Sequence, residues 1–338
     1  MSEREEVARQ AGPPGGERLD AEYVLPLRWT DDAGLPELTR YLGDLARMLD
    51  VTVVDGSPDA VFAAHARAWA PLVREAGLRH VRPEAAHRAL NGKVTGVVTG
   101  VRSARWRRVV VADDDVRYDS RTLREALARL AGVHLVQPQN VLAPTTWHAR
   151  WDTGRTLLNR AFGTDPPGTF VLDRDAFVAM GGYSGDVLFE NLELVRTVRA
   201  TGGTTRQAPD LYVTRLPPST RAFLGQRQRQ AYDSLAQPAR LGVELALLPA
   251  ALVAARRRPR LLAVAWLCTV GAAEVGRRRH GGRAAFGRLA ALWAPLWAAE
   301  RAVCAWPVLW RRARGSSRFD TSARKANGAG RRSGCWAW

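Results

Sequence analysis

Over the first two thirds of the chain, apolar and polar positions follow two alternating rhythms. Short runs rich in β-branched and apolar residues occur at Tyr23 to Leu27, Val51 to Val54, Leu78 to Val81, Val109 to Ala112 and His134 to Gln137, and these have the length and composition of strands. Between them, Leu35 to Leu49, Ala60 to Glu75, Val94 to Ser103 and Ser120 to Leu130 keep a helical period. This βαβ rhythm predicts an α/β fold with a mainly parallel sheet flanked by helices. In such sheets ligands bind beyond the carboxyl ends of the strands, so the residues that follow each strand are the ones to read for chemistry.

The last third changes character. Three apolar segments, Leu241 to Ala255, Leu261 to Gly276 and Leu289 to Trp310, follow one another, the last interrupted by Glu300 and Arg301. At ~1.5 Å per residue, the 15 and 16 residues of the first two reach roughly 22 to 24 Å, short of the ~30 Å hydrocarbon core of a bilayer. As a crossing hairpin they would place Arg256, Arg257, Arg258 and Arg260 outside, against the positive-inside tendency. Shallow or interfacial insertion therefore competes with a two-helix span, and a helical subdomain packed on the body is a third reading.

Charge sharpens this picture. The 338 residues carry 50 basic and 33 acidic side chains, a net charge of +17. From Arg240 to Trp338 there are 19 basic and 4 acidic residues, so 15 of those charges sit in the tail and only 2 in the rest. Seven of the 12 tryptophans fall there too, among arginine clusters and apolar runs, as at a membrane interface. With 46% hydrophobic residues the chain is neither disordered throughout nor collagen-like. Its three cysteines, Cys268, Cys304 and Cys335, are too scattered for a disulfide framework and fit a reducing compartment. The expected organisation is a disordered lead at 1–20 with no signal peptide, a catalytic domain at 21–235, an apolar helical membrane-associated region at 236–312, and a basic flexible tail at 313–338.

Several residues can carry chemistry, each beside a plainer reading. The strand Val109 to Ala112 ends in Asp113-Asp114-Asp115, where packed carboxylates call for a cation or a solvated turn; a hard divalent ion with oxygen ligands meets the first need. Asp55 follows the strand Val51 to Val54 and suits either a ribose or base contact or a simple Asp-Gly turn. Asn91 to Gly100 opens a helix whose glycines recur every four residues and line one face, allowing close packing on the sheet. Its free N–H groups favour an anion beside Lys93, one of only two lysines in the chain. Glu190, with Glu193 one turn on, starts a helix running to about Ala200 and serves as a general base or as an ordinary N-terminal acidic residue. Gln226 and Arg229, three apart, share a helix face and reach one anionic group together, or else form a polar interfacial helix.

Taken in order, "VVDGS", "NGKVTGVVTG", "VVVADDDV", "FVLDRDAFVAMGGY", "FENLELVRTVRATGG" and "QRQRQAY" resemble the family 2 glycosyltransferases of GT-A fold, in particular their membrane-associated, lipid-modifying branch. The resemblance covers roughly Tyr23 to Leu235. It implies a nucleotide-sugar donor, with Asp55 contacting the nucleotide, Lys93 near the diphosphate, and Gln226 and Arg229 matching the Q-x-x-R-W element close to the pyrophosphate. By the same resemblance Asp113 and Asp115 would form the DxD-type pair, Asp115 being the preferred direct ligand of Mn²⁺ or Mg²⁺. The resemblance also implies that Gly181 to Tyr183 help shape the sugar and acceptor pocket. The sequence departs from the family twice: Asn191 stands where the catalytic Asp of an acidic pair is common, moving base duty to Glu190 with Glu193 second, and Gln230 stands in place of the tryptophan.

The implied activity is single-displacement, inverting sugar transfer to a hydroxyl of a lipid or lipid-linked acceptor, at the cytoplasmic face of the cell membrane. A processive synthase is disfavoured, because it needs more long membrane helices. A sugar-1-phosphate nucleotidyltransferase needs a Gly-rich signature where Arg28-Trp29-Thr30-Asp31-Asp32 stands. The alternatives are a catalytically inactive, membrane-attached sugar-nucleotide binder and, with no nucleic acid expected, an Arg/Trp-rich nucleic-acid binder.

Overall fold

The structure, a computed structural model, describes residues 18–85, 90–187, 189–233 and 238–313. Most of the expected lead, the expected boundary at 235 and the basic tail from 314 onward lie outside them. The chain divides into two compact units that interleave in sequence. One comprises residues up to Asn140 with Pro166–Gly185 and Glu190–Thr214, and the other Val141–Asp165, Asp186–Phe189 and the chain from Arg215 onward.

The first unit is built on an eight-stranded sheet. Its strands in chain order are β1 (Glu22–Leu27), β2 (Asp50–Asp55), β3 (Leu78–Val81), β4 (Arg108–Ala112), β5 (Val116–Arg117), β6 (Leu135–Leu142), β7 (Thr169–Asp173) and β8 (Thr205–Arg215), arranged β3-β2-β1-β4-β7-β6-β8-β5. Strand β1 pairs in parallel with β2 and β4, and β2 with β3. Strand β7 runs antiparallel to both β4 and β6. The expectation of a mainly parallel sheet is thus corrected: the sheet is mixed. The βαβ rhythm holds from β1 to β4, but β7 is a reversed strand, and side-chain alternation is the same for either strand direction.

Alternation places one hydrophobic cluster on each face of the sheet. Tyr23, Leu25, Val51, Val53 and Val110 pack with Leu38, Leu42 and Trp69 on one side. Val24, Val109, Val111, Phe170 and Leu172 pack with Val94, Val97, Val101 and Leu194 on the other. The helix Gly92–Ser103 approaches β1 closely because its glycine face lacks side chains. A Cβ at Gly96 would lie 2.9 Å from the Pro26 Cβ, and one at Gly100 would overlap Val24.

The second unit is helical, with Trp147–Phe162, Thr220–Asp233, Pro238–Arg257, Arg260–Arg278 and Ala294–Ala313 as its main helices. Trp147–Phe162 meets two of the others at backbone distance. A Cβ at Gly154 would lie 2.9 Å from Ala294, and one at Gly276 would overlap the Leu157 carbonyl. Buried charges join the same helices: Arg160 donates to the carbonyls of Gly276 (3.2 Å) and Arg279 (2.7 Å). Arg227 holds Asp152 with both terminal nitrogens (2.8 and 3.2 Å) and Glu300 at 3.3 Å. The helices Pro238–Arg257 and Arg260–Arg278 are longer than their apolar stretches because both extend into charged flanks. Among the described residues, no helix is long and apolar enough to cross a membrane, which leaves the two-helix span unsupported.

Candidate active site

Three half-buried carboxylates close β4. Asp113, Asp114 and Asp115 form a turn in which the Val116 N–H donates to the Asp113 carbonyl (3.0 Å), while the Asp113 N–H donates to the Gly168 carbonyl (2.9 Å). Like charges this close repel unless a cation lies beside them. Lys93 is that cation: its Nζ sits 2.5 Å from Asp113 Oδ1, 3.0 Å from Glu190 Oε1 and 3.3 Å from Asn191 Oδ1. Burial works against the charge on Lys93, but the carboxylates of Asp113 and Glu190 outweigh it and raise the ammonium pKa above its usual value.

Local structure explains why Lys93 reaches both carboxylates. Asn91 caps its helix, the side-chain Oδ1 accepting the Lys93 N–H at 3.0 Å, while Asn91 Nδ2 donates to Glu190 Oε2 at 3.3 Å. Asn191 is fixed from the other end, its Nδ2 donating to the Pro167 carbonyl at 3.1 Å. Gly181 and Gly182, both at positive φ, turn the chain toward Tyr183. Burial first, then the nearby charges of Glu190 and Asp113, push the Tyr183 hydroxyl well above the usual tyrosine range. The cluster therefore places a retained positive charge, an acidic turn and a carboxylate at a helix start within reach of one lysine side chain.

A second set of contacts closes β2. Asp55 is fully buried; its Oδ1 accepts the Ser57 N–H (2.9 Å), and its Oδ2 lies 2.7 Å from His65 Nδ1 and 3.0 Å from His80 Nε2. Burial alone would raise the carboxyl pKa, yet the hydrogen bonds from His80, Ser57 and His65 hold it well below the usual range. A direct contact from Asp55 to a nucleotide would have to replace one of these bonds. Trp29 links the two strand ends, its backbone N–H donating to Ser57 Oγ (2.8 Å) and its indole N–H to Asp114.

Of the residues singled out from the sequence, the fold gathers Lys93, Asp113 and Glu190 into one cluster, with Asp115 on the same turn. Glu193 lies one turn along the helix from Glu190, half-buried. Gln226 belongs to the helical unit and is exposed, and the side chain of Arg229 lies outside the described residues. Asn91, Trp29, His65 and His80 were not anticipated. Only Asn91 carried a local signal, an Asn immediately before a helix start.

No protein-family model matches the chain. No curated protein sequence matches it. Among solved structures it is similar to a mannosyltransferase from Pyrobaculum calidifontis in complex with GDP-mannose and Mn²⁺, with a TM-score of 0.45 and 21% identity, over 92% of this chain and 87% of that one. It is also similar to GalNAc-T7 with UDP, GalNAc and Mn²⁺, with a TM-score of 0.43 and 12% identity, over 59% of this chain and 43% of the other.

Proposed function

We propose that this protein is an inverting glycosyltransferase that moves a sugar from a nucleotide-sugar donor to a hydroxyl of a lipid or lipid-linked acceptor. The observation that carries this reading is the meeting of Lys93, Asp113 and Glu190, from three separated sequence motifs, beside the acidic turn after β4. Glu190 takes the proton from the acceptor hydroxyl, whose oxygen attacks the anomeric carbon as the bond to the diphosphate breaks. Lys93 offsets the charge that builds on the departing diphosphate. Asp55 acts on the nucleotide end through the Gly56-Ser57 turn that its carboxylate fixes.

The donor set also fits a hard divalent ion. Asp113 and Asp115, two positions apart, carry carboxylate oxygens, the ligand type that Mg²⁺ and Mn²⁺ favour; an ion there would share Asp113 with Lys93, while the carboxylate between them is engaged by the Trp29 indole. Bound there, such an ion would neutralise charge on the donor diphosphate. The assignment of Gln226 and Arg229 to the pyrophosphate rests on the sequence resemblance.

The proposed place of action is the cytoplasmic face of the cell membrane. It is supported by apolar side chains that the helical unit leaves exposed, among them Val243, Leu252, Leu261, Trp266 and Leu267, close in sequence to Arg256, Arg257, Arg258 and Arg260. Apolar surface flanked by arginine suits an anionic lipid interface.

The test begins with a screen of UDP-, GDP- and dTDP-sugars for metal-dependent hydrolysis or thermal stabilisation. With the donor known, Glu190→Gln is expected to cut turnover by about 10²- to 10⁴-fold with donor binding retained. Unchanged turnover would remove Glu190 as the base. A second reading, a sugar-nucleotide binder without catalysis, is favoured by Asn191, whose amide cannot accept a proton. It predicts donor binding and no turnover in the unaltered protein.

A further inference from the structure

Away from the acidic turn, the first unit holds a second group of metal-type ligands. His65 lies on the helix Asp59–Glu75, His80 on β3 and Asp55 at the end of β2. One ligand atom from each lies within 4.8 Å of the others. His65 Nδ1 and His80 Nε2 converge on the same oxygen, Asp55 Oδ2, at 2.7 and 3.0 Å. Ligands at ~2.0 to 2.1 Å from a zinc ion stand roughly 3 Å or slightly more from one another, so each histidine nitrogen needs to part from Asp55 Oδ2 by only some tenths of an ångström.

The surroundings have the features of a built site. Asp55 and His65 are completely buried and His80 nearly so. The second oxygen of Asp55 is held by the Ser57 N–H. His65 Nε2 is buried and makes no hydrogen bond, while Asp32 Oδ1 stands 3.4 Å from it. A carboxylate behind the far nitrogen of a ligating histidine is the usual outer support of a metal-bound imidazole. Phe62 stacks on His80 at 4.2 Å and Trp69 on His65 at 4.9 Å, which fixes both ring planes.

We propose that Asp55, His65 and His80 form a binding site for a borderline divalent transition-metal ion, zinc in the first place. On binding, the ion takes the lone pairs of His65 Nδ1 and His80 Nε2, so each neutral ring carries its proton on its other nitrogen; for His65 that is Nε2, which then donates a hydrogen bond to Asp32. Two imidazoles and one carboxylate favour Zn²⁺ or Co²⁺ over Mg²⁺ or Mn²⁺, so this site and the acidic turn select different ions. Its role is to tie the ends of β2 and β3 to the helix Asp59–Glu75, and thereby to set the Gly56-Ser57 turn. The proposal does not depend on the sugar-transfer reading.

The test uses the full-length protein, stripped with a chelator and titrated with Zn²⁺ and with Co²⁺. One equivalent is expected to bind, to raise the melting temperature, and to show two imidazole ligands by X-ray absorption. His80→Ala and the milder His80→Gln are each expected to lower zinc affinity at least about tenfold, whereas Asp115→Ala keeps it. If the unaltered protein retains no zinc and shows no thermal shift, the site does not exist, whatever the variants do. Zinc bound with oxygen ligands alone, or lost in Asp115→Ala and kept in the His80 variants, would place it on the acidic turn and overturn the proposal.

Discussion

Lys93 is the residue on which the proposed site turns, because one ammonium group faces two carboxylates from elements far apart in sequence. The raised pKa means that its contribution to stability is fully present below the ordinary lysine value and disappears only as pH rises past the higher folded value. Lys93→Met leaves Asp113 and Glu190 beside each other without that cation, and is expected to cost ~1 to 3 kcal/mol at pH 7 in urea denaturation. The deficit should shrink at alkaline pH, as the ammonium of the unaltered protein loses its proton above its raised folded-state value. The sequence marked Lys93 as an exception at a helix start, and marked both carboxylates as candidates. It carried no information that Lys93 would pair with them, since 20 and 97 residues separate the partners and only the sheet order brings them together. His65 and His80 were silent for the same reason: each is a single histidine in an ordinary helix or strand, and their convergence on Asp55 exists only once β3 lies against β2.

At the scale of elements, helix and strand positions were readable wherever an apolar period ran unbroken. The helix Gly92–Ser103 shows how far that went, since glycines spaced four apart announced a close approach to the sheet, and Gly96 and Gly100 make it against β1. Gly100→Ala should force the helix away from Val24 and destabilise the protein by ~1 to 3 kcal/mol, measured by chemical denaturation. No comparable signal existed for the direction of β7. Its five residues are buried on both faces and read the same forward or backward. Between β6 and β7 the chain passes through the helix Trp147–Phe162 of the other unit, a detour that no local pattern foretells.

Across the whole molecule, charge and apolar exposure concentrate in one direction along the chain. The full-length protein is expected to float with vesicles of anionic lipid and to be released from them by salt, whereas vesicles of neutral lipid should hold it far less well. Replacing Leu261, Trp266 and Leu267 with serine should weaken that flotation and leave hydrolysis of a nucleotide-sugar donor unchanged; flotation indifferent to both lipid charge and these substitutions would remove the lipid surface as the partner.

The helix Trp147–Phe162 also limits how the protein can be divided. A chain ended at Leu235, where composition invites a cut, would keep this helix but lose both helices that it meets closely at Gly154 and at Gly276. It would also lose the carbonyl partners of Arg160 and the Glu300 partner of Arg227. Buried guanidinium groups that lose some of their acceptors are destabilised. The shortened polypeptide should therefore be recovered in aggregates, even though every strand of its sheet is present.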